Sequence, residues 1–219
     1  MAASCDHGYT RGPQEKSPGN ISTAERIPTM AHADQPASST DVTAILTADH
    51  KDMRDLLAQV HLTTDPEQRR NLVDTVTAEV MRHSVAEEMY VYPVMEEHLP
   101  NGAEEVEHDK KEHDELVTVM KELEGVDAAH PDFIELVKKF EEMLAHHAKD
   151  EEEDQFPKLR AHLPREQLEE LGEKVEQAKK LAPTRPHPSA PHSELFHKTV
   201  GAGVGMVDRL RDKLTGRAT

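Results

Sequence analysis

The chain has 219 residues, enough for one well-filled domain with extensions and too few for two large ones. Aromatic residues make up 3%, Trp is absent, and charged residues reach 32%, a balance that favours helices over a β-sandwich. The formal charge of −17 sets up a field that repels nucleic acid and anionic membranes and draws cations.

The single cysteine, Cys5, allows neither a disulfide framework nor a thiolate metal site, which fits a reducing cytoplasm. There is no apolar run of about 18 residues, so stable membrane insertion is not expected. The N-terminus lacks the basic and apolar regions of a signal peptide. These features together lead to the expectation of a cytoplasmic protein.

Residues 1–39 are rich in Ser, Thr, Pro, Gly and Ala without apolar periodicity, and are expected to form a disordered tail. Met30 is an alternative start to Met1; an intact native mass beginning at Met1 would dismiss it. Thr40 or Asp41 offers an N-cap to a first helix with Ile45, Leu46, His50, Met53, Leu57 and Val60 on one face. The turn Thr63-Thr-Asp-Pro66 leads to a second, with Leu72, Val76, Val80, His83, Glu87 and Val94 inward. Leu99-Pro-Asn-Gly102 reads as a turn. A third helix follows to Glu124 with Val106, His113, Leu116, Val117 and Met120 inward and Gly125 as C-cap. His130-Pro131-Asp132 opens the fourth, with Leu136, Phe140, Met143, Leu144, His147 and Glu151 as its stripe.

Four amphipathic helices with short turns predict an all-α, up-down antiparallel four-helix bundle. A fifth helix, about Arg165 to Leu181, is expected to cover one end of it, with Gln177 where the repeat would place a histidine. Residues 40–182 form the bundle in this reading, 183–199 a Pro-rich linker, and 200–219 a short amphipathic segment. That last segment carries Val200, Val204, Val207, Leu210 and Leu214 beside basic residues, a pattern suited to docking on the bundle, a partner or a membrane surface.

The informative motif is a repeat. His83-Ser-Val-Ala-Glu87-Glu-Met-Tyr-Val-Tyr-Pro93 returns as His147-Ala-Lys-Asp-Glu151-Glu-Glu-Asp-Gln-Phe-Pro157, each H-x3-E-E-x4-P. A lone histidine precedes each copy, His50 by 33 residues and His113 by 34. His and Glu four residues apart differ by about 40° around a helix, and five apart by about 140°. The geometry therefore selects Glu87 over Glu88 and Glu151 over Glu152, leaving the second Glu of each pair for solvent or a neighbouring helix. The same register selects His147 over His146.

A lone inward histidine is more often a hydrogen-bonded core residue than a ligand. Four of them with two buried carboxylates and no cation would be costly. His50, His83, Glu87, His113, His147 and Glu151 are therefore expected to ligate metal. Nitrogen and oxygen donors without thiolate point to Fe or Mn first and Zn next.

These residues, with Tyr92-Pro93 and Phe156-Pro157, resemble the hemerythrin-like HHE cation-binding domains over about Asp41 to Leu181. The resemblance implies a hemerythrin-like bundle around a carboxylate-bridged, non-haem di-iron centre. Oxygen-carrying hemerythrins have H-x3-H on the third helix, whereas Asp109 stands four residues before His113 and His108 five before. Asp109 and His108 are thus further candidate ligands, the helix angle disfavouring His108. The spacing of four from His147 to Glu151 matches the bacterial HHE group rather than the oxygen carriers. Both departures argue against reversible oxygen carriage.

Two functions are carried forward. One is a redox-protective centre that consumes peroxide, in the manner of a catalase, or removes NO, or reacts with O2, in oxidative or nitrosative stress defence. The other is a sensor or carrier for O2, NO or iron without turnover. No catalytic residue is assigned. A third, plainer reading is a bundle stabilised by adventitious Zn.

Overall fold

The computed structural model describes residues 38–188 and 202–217. The tail up to residue 37, with Cys5 and Met30, lies outside the described residues, as does the linker stretch 189–201.

Helix α1 (Val42–Leu62) starts where the Asp41 carboxylate accepts from the Thr43 backbone N–H, at 2.7 Å, and from its hydroxyl. Helix α2 (Pro66–Ala86) is capped by Asp65 and has Pro66 in its first turn, where a missing N–H costs nothing. It does not run unbroken past Pro93. A π turn, π1 (Glu87–Val91), intervenes before α3 (Tyr92–His98), and the Tyr92 N–H reaches back five residues to the Glu87 carbonyl. Pro93 supplies the reason: it has no N–H to give, and its ring crowds the carbonyl four residues back, so a widened turn relieves both. Asn101, at φ 62°, turns the chain into α4 (Gly102–Gly125).

Helix α5 (Pro131–Asp150) is capped by His130, whose Nδ1 accepts from the Asp132 N–H at 3.2 Å. A second π turn, π2 (Glu151–Gln155), precedes α6 (Phe156–His162) and Pro157 in the same relation. Helices α7 (Arg165–Leu181) and α8 (Ala202–Thr215) complete the chain. There is no strand among the described residues.

Helix α1 packs on α2 and α5, and α4 on α5 and α3. The result is the all-α, up-down four-helix bundle that the pattern predicts. Three details differ. Gly125 is the last helical residue rather than a left-handed cap, and Val126 ends α4 with φ −99°. Ile45, Leu72, Val94, Leu136 and Met143 are only half-buried, while Leu46, Val73, Met95, Phe133 and Val137 take the deepest positions beside them. Helix α7 lies along α1, α2 and π1, covering a side of the bundle rather than an end.

The close approach of α7 to α1 depends on Gly172, where a Cβ would come closer than 3.0 Å to the Thr40 carbonyl oxygen. Helix α8 meets the end of α7 through Gly205, which approaches the Leu181 and Ala182 carbonyls, while buried Asp208 and Asp212 pair with His187, Thr184 and Arg185 in the segment just beyond α7. Arg185 pairs with Asp212 at 2.6 Å, and Arg217 with Glu124 at 2.6 Å. Of the expected apolar stripe, Val207 is 61% exposed and Val204 half-buried, while Val200 and the side chains of Leu210 and Leu214 lie outside what the structure describes. Among the described residues no helix is long and apolar enough to cross a membrane.

Two apolar clusters fill the bundle. One holds Leu57, Val76, Val80, Leu116, Met120 and Phe140, the other Leu46, Val91, Met95, Val106, Phe156 and Leu159. Buried polar residues of α1, α2, α4 and α5 lie on the same bundle faces.

Candidate metal centre

His50 (α1), His83 (α2), His113 (α4) and His147 (α5) are all 2% exposed or less. Each points Nε2 inward. The Nε2 atoms of His50 and His83 stand 3.0 Å apart, and those of His113 and His147 3.2 Å apart. Glu87 places Oε1 3.1 Å from His83 Nε2 and Oε2 3.5 Å from His113 Nε2. Glu151 mirrors it, with Oε2 3.2 Å from His50 Nε2 and Oε1 3.6 Å from His147 Nε2. Each carboxylate thus spans both imidazole pairs. Single atoms of His50, His83, Glu87 and Glu151 lie within 4.8 Å of one another, as do those of Glu87, His113 and His147.

Such an arrangement could hold two cations, and the orphaned oxygens favour that. Both Glu87 oxygens and Glu151 Oε2 are buried without a hydrogen-bond partner. Ionised oxygens left that way are expensive unless a cation meets them. The all-nitrogen-and-oxygen donor set suits Fe, Mn or Zn. Burial pushes His83 down, but Glu87 and Asp49 outweigh it and raise its pKa to about 10. His113 reaches about 10 in the same way, against its own burial, through Glu87 and Glu88. Burial works to raise Glu87, yet His83 and His113 hold it well below the carboxylate range.

The outer nitrogens are equally ordered. The Nδ1–H of His50 donates to Glu152 at 2.9 Å, that of His83 to Asp49 at 3.3 Å, that of His113 to Glu88 at 3.2 Å, and that of His147 to Glu112 at 2.9 Å. Four carboxylates therefore fix four ring orientations and leave Nε2 for the centre, as metal-ligating histidines commonly require. Sequence reasoning missed these roles. Two signals were present: the second Glu of each Glu-Glu pair, and the acid immediately before each lone histidine, Asp49-His50 and Glu112-His113.

Asp109 is fully buried on α4; one of its oxygens, one of Glu112's and a ring nitrogen of His147 group within 4.8 Å. Its Oδ1 accepts from Gln155 Nε2 at 3.0 Å, and its Oδ2 has no partner. Burial and the Glu151 charge push its pKa up to about 7. His108 is not brought to the centre. Its side chain is 55% exposed and lies 3.4 Å from Glu112, on the outer face of α4 where the helix angle puts it. His146 is likewise exposed.

The family model for the hemerythrin HHE cation binding domain matches residues 41–159. An uncharacterized hemerythrin-like protein of Schizosaccharomyces pombe is 30% identical over 167 residues, covering 76% of this chain and 82% of that protein. A DNA nickase of Nostoc is 22% identical over 135 residues, which is 62% of this chain but only 38% of the nickase. No solved structure matches the chain. The chain belongs to the hemerythrin HHE cation-binding family.

Proposed function

We propose that the chain is a non-haem di-iron protein that binds or reacts with peroxide, O2 or NO in oxidative or nitrosative defence. His50, His83, Glu87 and Glu151 would hold one ion, and His113, His147 and the same two carboxylates would hold its neighbour. The observation that carries this reading is the double span of Glu87 and Glu151, with partnerless oxygens facing four inward Nε2 atoms. Iron bound there supplies one-electron and O2 chemistry. The chain's own part is to hold the ions together through the two carboxylates, to orient the imidazoles through Asp49, Glu88, Glu112 and Glu152, and to keep bulk water out with the apolar clusters. Residues 40–182 carry this centre, and the segments before and after it are extensions.

Consumption of peroxide needs no outside reductant, since one molecule is oxidised to O2 as a second is reduced to water. The first test is metal content per chain by mass spectrometry, on untagged protein from iron-sufficient medium. Two irons are expected. No iron, or one loosely held Zn, would withdraw the redox reading, as would peroxide consumption no faster than that of free iron.

One observation favours sensing without turnover. Lys179 on α7 binds Asp49 at 2.7 Å, Asp49 binds His83, and the end of α7 seats Gly205 of α8. That contiguous path would carry the state of the centre to α8. A stable coloured adduct with O2 or NO, without peroxide loss, would favour it. The nickase acts on DNA by its name; the charge of −17 works against phosphate contacts here, and we do not extend that activity to this chain.

A further inference from the structure

The sequence repeat relates the two halves of the centre at an offset of 63 or 64 positions, so each residue has a counterpart. His50 corresponds to His113, His83 to His147, and Glu87 to Glu151. Three buried neighbours break the match. Leu46 corresponds to Asp109, Val91 to Gln155, and Phe156 to Tyr92. One half is therefore flanked by three apolar side chains, with Phe156 stacked on His50 at 6.0 Å between ring centres. The other is flanked by three polar ones.

Those polar groups are incompletely paired. Among the described residues the Tyr92 hydroxyl meets only the His113 ring nitrogens, at 3.1 Å from Nε2 and 3.5 Å from Nδ1. Nδ1–H already donates to Glu88, and Nε2 faces the centre. With Nε2 committed to a metal, the phenol has a proton to give and no acceptor there. Gln155 and Asp109 share one hydrogen bond, which leaves Asp109 Oδ2 and Gln155 Oε1 buried without a donor. Buried polar groups of this kind normally find partners.

We propose that Tyr92, Asp109 and Gln155 form a subsite for a small protic oxygen ligand of the hydrogen peroxide class, on the His113/His147 half alone. Peroxide has two O–H groups for the two free acceptors and lone pairs for the phenol. O2 and NO have no hydrogen to give and would leave both acceptors unpaired. The proposal rests on the di-metal reading and selects among its ligands.

The test compares wild type with Y92F and with D109L/Q155V, which imports the side-chain types of the apolar half. Metal per chain is counted by mass spectrometry, kcat/KM is measured for peroxide, and Kd for NO is measured by optical titration of the reduced protein. Leaving polar groups unpaired, or deleting them, should lower peroxide kcat/KM by about 10- to 100-fold in D109L/Q155V, while the NO Kd stays within about 3-fold and metal content is unchanged. Y92F should show a smaller split of the same sign. Equal losses for both ligands overturn the subsite. So does no loss for either, which would leave the corner holding an ordered water only. Tighter NO binding in D109L/Q155V also overturns it, since Asp109 would then have been filling a ligand position. Should D109L/Q155V lose metal, D109N combined with Y92F keeps the volume and must show the split. A wild-type chain without a metal pair sinks the di-metal reading and the subsite together, whereas a loaded chain whose variants show no split sinks the subsite alone.

Discussion

Replacing Glu88 or Glu152 with alanine removes equivalent carboxylates from the two halves of the centre, yet the effects should be unequal. The Glu152 bond to His50 is the shorter, at 2.9 Å against 3.2 Å for Glu88 to His113, so length alone would rank Glu152 first. Burial reverses the order. The Glu152 side chain is 27% exposed and shares its oxygen with Arg54, so in E152A water can reach the space and accept from His50 Nδ1–H. The Glu88 side chain is 4% exposed, and E88A leaves His113 Nδ1–H buried without its carboxylate. Such an orphaned donor costs about 1–3 kcal/mol. Loss of an outer partner typically weakens metal binding by about 10- to 100-fold, and E88A should fall in the upper part of that range. E152A should lose about 10-fold or less on the same scale. Competition with EDTA, followed by counting retained metal, measures both. An E152A loss equal to or larger than that of E88A, or neither variant differing from wild type, would refute the reasoning that burial outranks bond length here.

Because His83 and His113 carry protons up to about pH 10 in the metal-free chain, metal uptake near pH 8 should release about two protons per chain, read by a pH-stat. The raised histidines stabilise the metal-free fold fully below their unfolded pKa of about 6.5 and lose that contribution as pH rises through about 10, so its Tm should fall over this window. At the acid end the depressed Glu87 gives the opposite sign: its contribution is present above about pH 4.5 and is lost as pH falls. A metal-free Tm that holds constant from pH 6.5 to 10 would contradict the assignment. G172A should cost about 1–3 kcal/mol because α7 must lift from the Thr40 carbonyl, and a Tm equal to wild type would count against that packing. G205A should expose α8 to limited proteolysis while leaving metal content intact; loss of metal instead would tie α8 to the centre more directly than the packing implies.

The six inward donors were legible because His-x3-Glu on a regular helix fixes both side chains to one face, whatever surrounds them. The same arithmetic turned Glu88 and Glu152 away from the centre correctly, but could not say what they met. Their targets, His113 and His50, are set by how neighbouring helices pack, and a single-helix angle contains no such information. Pro93 and Pro157 do not by themselves announce the π turns, since a proline six residues past a ligand is compatible with a kink or a widened turn. The amphipathic face of α7 shows that it packs on the bundle, but not whether on a side or an end. Gly172 was the available clue to a close approach along α1.

The four outer bonds and the two spanning carboxylates divide by hairpin. His50 and His83 belong to the first pair of long helices, His113 and His147 to the second, so each hairpin brings both imidazoles of one position. Both acids of each Glu-Glu pair reach across: Glu87 and Glu88 to His113, Glu151 and Glu152 to His50. Each hairpin thus keeps its nitrogens and shares its oxygens. Neither hairpin alone assembles a complete donor set, and any cation held there acts as a clasp between the two halves of the chain.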